Sequence, residues 1–117
     1  MVKTARIRDK VDGKIINITV KLAPNHVLSP TPELFWGFKK GRITWAEYEA
    51  RYLQLLRDRY KTRKSEFDEM VQMALLEDIV LICFCTDEQY CHRRLAKAVL
   101  DKLIEKAKKE QRVVCDS

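Results

Sequence analysis

Three of the four cysteines of this chain fall in "VLICFCTDEQYCHRR", Val80 to Arg94, where a histidine and two arginines follow the third cysteine directly. These residue types can do chemistry. Cys91, His92 and Arg93 open a helix in the pattern, so backbone N–H groups and the positive end of a helix dipole meet a thiol, an imidazole and a guanidinium. A thiol placed there has a lowered pKa, which makes Cys91 a candidate nucleophile with His92 and Arg93 as its catalytic partners. The same groups could hold a phosphate or carboxylate. Cys85 ends the preceding strand, two residues after Cys83 and so on the same face, and is a candidate ligand-binding or resolving residue. Asp87 and Glu88 stand in the loop between strand and helix and oppose an anion, unless they face a metal, a ribose or a base.

A metal reading uses Cys83, Cys85, Cys91 and His92, since thiolate and imidazole are suitable zinc ligands. Zinc sites usually pair their cysteines as C-x(2–4)-C, whereas this chain has C-x-C on a strand and an adjacent Cys-His. That spacing is strained for one tetrahedral ion, so no tightly held metal is expected. The C-x(5)-R phosphate loop of tyrosine phosphatases is also absent, because the sixth residue after Cys85 is Cys91. The bland alternative makes Cys83 and Cys85 small buried hydrophobes and leaves His92 and Arg93 as polar caps. The sequence assigns no cofactor.

Elements must position this motif. "DIVLICFC" is a continuous β-branched and apolar run, the signature of a strand covered on both faces. A strand feeding a helix through a short loop places that loop at the strand's carboxyl end, where open α/β sheets bind ligands. Upstream, "ARIRDKVDGKIINITV" reads as a β-hairpin turning at Asp12-Gly13, with Ile16, Ile18 and Val20 on one buried face. Loop "KLAPNHVLSPTP" holds all three prolines. Thr31 then caps a short helix with Pro32 at its first position. Thr44 and Glu47 form a capping box for a second helix, whose Trp45, Tyr48, Tyr52, Leu55 and Leu56 recur at core spacing. A third helix, "SEFDEMVQMALLE", opens around Ser65 and Asp68. The last runs from about Cys91 to Lys109, followed by "RVVCDS" as a short strand or loose tail. The expected fold is therefore a small α/β domain over residues 1–117. An N-terminal hairpin and a buried central strand share one sheet, with about four helices packed on it.

Composition bounds the rest. At 117 residues, 46% of them hydrophobic, the chain supports one domain with a real core. No apolar run approaches the roughly 20 residues of a membrane span, and "MVKTARIRDK" is not a signal peptide, so a cytoplasmic location is expected. The 34% charged residues would suit a thermophile. The net charge of +6 and the sequence pI ≈ 9.2 allow nucleic-acid phosphates as partners, although basic runs with interspersed acids are more often solvated helix faces. The partners considered are thus a phosphate-bearing small molecule, such as a nucleotide, or nucleic acid through the basic helices. A zinc knot is the third alternative.

Two blocks in order, "SPTPELFWGFKKGRITWAEYEARYLQLLR" and "VLICFCTDEQYCHRRLAKAVL", resemble the family catalogued as domain of unknown function 488. The first block carries the resemblance on Pro30, Glu33, Lys40, Gly41, Trp45, Tyr48, Arg51 and Tyr52. The second carries it on Cys83, Cys85, Cys91, His92, Arg93 and Leu95. The resemblance implies a cytosolic protein of mainly prokaryotic or viral distribution and strengthens Cys-His-Arg as a site. If the early strand lies beside the cysteine strand, the "LSPTPE" loop joins the site. That adds Ser29, Thr31 and Glu33 as ligand-binding candidates, and Arg51 reaches in from the second helix or is held in a salt bridge.

Overall fold

The fold was described from a computed structural model covering residues 1–7, 9–84 and 90–116, with side chains described through residue 110. The chain runs β1 (Val2–Arg6), β2 (Lys14–Asn17), α1 (Pro32–Lys39), α2 (Trp45–Thr62), α3 (Lys64–Leu76), β3 (Ile79–Cys83) and α4 (His92–Asp116).

β3 is central in a three-stranded sheet of order β1-β3-β2. All five of its residues are buried, as its continuous apolar composition requires. Its side chains alternate between two faces. Ile79 and Leu81 join the main core with Phe67, Met70, Leu95 and Leu100 from the helices. Val80 and Ile82 turn to the opposite face and meet Ala5 and Ile7.

The two early strands share this sheet, as expected, but they do not form a hairpin. Both lie parallel to β3, with Val2 and Lys14 each opposite Ile79. The physical reason is the inequality of the three strands. β1 and β2 are partly polar and partly exposed, which suits edges, while the all-apolar β3 must take the middle. Gly13 does adopt a positive φ of 132°, yet its role is close approach. A Cβ there would stand 2.8 Å from the Asp78 carbonyl oxygen, which accepts from the Lys14 N–H. The glycine that reads as a turn therefore lets β2 start against β3.

Local signals fix the helices. The Thr31 hydroxyl accepts from the Leu34 N–H with Pro32 following it, and Thr44 and Glu47 complete a capping box. α3 starts one residue before Ser65: only Arg63 separates it from α2, and the Arg63 guanidinium binds Glu66 and the Asn25 carbonyl. α4 continues to Asp116 where a strand or loose tail was expected. No Gly or Pro follows His92 to stop it. No described helix is long and apolar enough to cross a membrane.

Candidate functional site

Parallel strands place their carboxyl ends together, and α4 begins at that edge. Cys83 ends β3 on the same face as Ile79 and Leu81, which is the face the helices cover. Cys91 precedes α4 and His92 opens it. Cys83, Cys91 and His92 therefore converge, each offering one ligand atom, and these atoms lie within 4.8 Å of one another. All three are buried, at 2%, 1% and 1% exposure.

The imidazole has a fixed orientation. His92 Nε2 lies 2.7 Å from the Ile18 carbonyl oxygen. A carbonyl only accepts, so Nε2 carries a proton, and in the neutral ring Nδ1 is then the nitrogen with the lone pair. Nδ1 faces the Cys91 sulfur at 3.8 Å. Ile18 is itself anchored, because its N–H donates to the Ile82 carbonyl. β3 thus positions Cys83 directly and His92 through residue 18.

Aromatic packing supports the ring from the other side. Tyr52 meets the His92 imidazole edge-on at 5.8 Å, and Tyr48 and Trp45 continue the stack along α2. Trp45 also touches Tyr90, the residue before Cys91. The Tyr52 hydroxyl donates to the Leu28 carbonyl at 2.5 Å, and burial raises its pKa well above the ordinary phenol value. The aromatic stripe is core, as its spacing indicated, and it also positions the histidine.

Arg93 leaves in another direction. Its Nη1 donates to the Ala5 carbonyl on β1 at 2.9 Å. The residue is 2% exposed, and its Nε has no hydrogen-bond partner. Among the described residues no carboxylate forms an ion pair with it. Asp9 is held below the ordinary carboxylate range chiefly by the Arg6 backbone N–H, and the charge of Arg93 contributes least among the causes. Among the described residues, a guanidinium is therefore buried at the start of a long helix with one backbone carbonyl, that of Ala5, as its hydrogen-bond acceptor.

The other sequence candidates sort differently. Cys85 lies outside the described residues. Thr31, Glu33 and Arg51 line an open groove of ≈ 400 Å³ between α1 and α2, together with Arg42 and with none of Cys83, Cys91, His92 or Arg93 in its walls. Ser29 is not in that groove; its buried hydroxyl donates to the Ala23 carbonyl. Arg51 approaches Glu47 at 3.8 Å on an exposed face, which is the salt bridge and not a stack.

Sequence reasoning passed over Ile18, whose contribution is a carbonyl and leaves no side-chain signal. Arg59 belongs to the basic residues whose pattern suggests a solvated helix face. The Arg59 guanidinium instead gathers the carbonyls of Val27 and Ser29 at 2.8 and 2.6 Å, with His26 at 3.4 Å, and so fixes the proline-rich loop.

A buried thiol–imidazole cluster, with a buried guanidinium on the next residue of the chain, at the carboxyl edge of a parallel sheet, defines a small α/β domain with a polar site at a strand–helix junction. A family model described as "Active DUF488-N3 subclade", DUF488-N3a, matches residues 19–104. The chain belongs to this family, a branch of domain of unknown function 488. No curated protein and no solved structure matches it.

Proposed function

We propose that the carboxyl edge of the sheet is the ligand site of a cytosolic protein acting on a phosphate-bearing small molecule, a nucleotide by class. Arg93 and the first N–H groups of α4 would hold the anion. Cys91 and His92, the two residues before Arg93 in the chain, are the chemistry-bearing groups. The observation behind this reading is the buried charge of Arg93. Removing a guanidinium from water costs several kcal/mol, and one backbone carbonyl offsets only about 1.5–3 kcal/mol of it. A bound anion would pair with this charge where the described residues offer only a carbonyl, and the helix start favours the same sign of ligand. The family description, an active subclade, agrees with a working site. A reducing cytosol suits it, because two thiols lie close together.

The test is calorimetric titration of the full chain with inorganic phosphate and with nucleoside mono- and diphosphates. Wild-type protein should bind at least one of them. Arg93→Gln should abolish binding, whereas Arg94→Gln, on the exposed side of the same turn, should change it less than threefold. Arg93→Lys keeps the charge without the fork and should bind weakly. Equal binding by wild type and a folded Arg93→Gln variant would sink the reading. So would salt-sensitive binding of random DNA alone, which would favour the basic helices as a nucleic-acid surface instead.

A further inference from the structure

We infer that Cys83, Cys91 and His92 hold a thiophilic divalent metal ion, zinc by chemical class. The inference rests on the reading above for its role in the site; it shares Cys91 and His92 with that reading but does not use the Arg93 guanidinium that holds the anion. The spacing of the cysteines along the chain argued against a metal. The fold removes that objection, because the ligands come from two elements: Cys83 from the end of β3, and Cys91 with His92 from the start of α4.

Geometry is the first support. Zinc–sulfur and zinc–nitrogen bonds of about 2.3 and 2.0–2.1 Å put tetrahedral ligand atoms roughly 3.5–3.8 Å apart. The Cys91 sulfur and His92 Nδ1 are already 3.8 Å apart, and the whole trio lies within 4.8 Å. Small side-chain rotations would close the remainder.

The histidine is the second support. A metal-ligating imidazole gives its other N–H to a carboxylate or a backbone carbonyl, which fixes the tautomer and points the lone pair. His92 does this through Ile18.

Charge is the third. Two thiolates cancel a dication, so the loaded centre is neutral and tolerates full burial. Two thiolates without a cation would not. Neutrality at the metal also leaves the Arg93 charge undiminished for an anion. Three side chains leave the fourth tetrahedral position to a residue or ligand beyond them.

Stripped full-length protein, kept reduced, is titrated with cobalt(II) in the absence of phosphate and then with zinc. A sulfur-to-cobalt charge-transfer band and the intense visible bands of tetrahedral cobalt should appear, saturate at one ion per chain, and vanish as zinc displaces cobalt. Cys83→Ala and Cys91→Ala should each weaken binding roughly 100-fold or more, beyond what loss of an outer partner causes. Cys115→Ala should leave the spectrum unchanged. His92→Asn should weaken binding and alter the visible bands. Far-UV circular dichroism identifies any variant that fails to fold, and the wild-type spectrum then decides alone. Absence of a charge-transfer band in wild-type protein overturns the inference. So does a band that survives in the folded Cys83→Ala, Cys91→Ala double variant. Arg93→Gln should keep the cobalt spectrum while losing phosphate, so failure of either reading leaves the other legible.

Discussion

Tyr52 and His92 meet edge to face with ring centroids 5.8 Å apart, and the tyrosine hydroxyl is tied to the Leu28 carbonyl at the same time. One side chain therefore links the proline-rich loop to the histidine. Tyr52→Phe removes the hydroxyl and leaves a buried carbonyl without that donor, so a loss of about 1–2 kcal/mol is expected from urea unfolding. Tyr52→Leu should cost more and should also shift the His92 imidazole resonances in NMR. An unchanged His92 environment in Tyr52→Leu would show that the ring is held by Ile18 alone.

Arg93 should behave as a group kept for binding and not for stability. Arg93→Met replaces a poorly partnered buried charge with an apolar side chain of similar length. The expected change in unfolding free energy is within ~1 kcal/mol of zero, or in the stabilising direction. A loss of about 3–5 kcal/mol would instead mark the guanidinium as a structural latch on Ala5.

His26 sets a pH dependence. Its Nδ1 accepts from the Leu28 N–H at 3.0 Å, and burial lowers its pKa below the ordinary 6.5. The folded state thus resists a proton that the unfolded state accepts. Stability contributed by the neutral ring is fully present above 6.5 and falls as pH drops below it. Wild-type protein should lose stability between pH 7 and about 5.5 faster than His26→Gln does. Parallel curves for the two proteins would remove His26 as the cause.

Gly13 tests the topology. An alanine there meets a positive φ and the Asp78 carbonyl together. Gly13→Ala should destabilise by about 2 kcal/mol or more in denaturant unfolding. In a type I′ hairpin turn, Asn at this position would be nearly neutral. Here Gly13→Asn should be as damaging as Gly13→Ala, because the obstacle is the neighbouring strand.

The legible parts of this protein are those whose causes are local. Thr31, Thr44 and Glu47 cap helices through partners three residues away, and β3 declares itself by five apolar residues in a row. Pairing partners are not local. Asp12-Gly13 satisfies the rule for a hairpin, and nothing within ten residues reveals that β3, over sixty residues on, will lie between the two early strands. The site was legible as a motif for the same local reason. Which members would meet was not, since alternation along a strand says which side chains share a face without saying which face the helices cover. The groove lined by Thr31, Glu33 and Arg51 shows the converse, a set of plausible polar residues that the fold assembles away from the thiols.

The sheet's strand order also governs when it can exist. Its middle member is the last strand in the chain, so β1 and β2 have no partner on a nascent polypeptide until residues 79–83 have left the ribosome. Helices α1 to α3 can form from local contacts before then, while Val2, Ile16 and Ile18 wait with apolar surface uncovered. The sheet can be completed only when this single buried strand is present to bring both edges, the histidine's anchor and the first cysteine into place together, and apolar surface left uncovered until then favours misassociation.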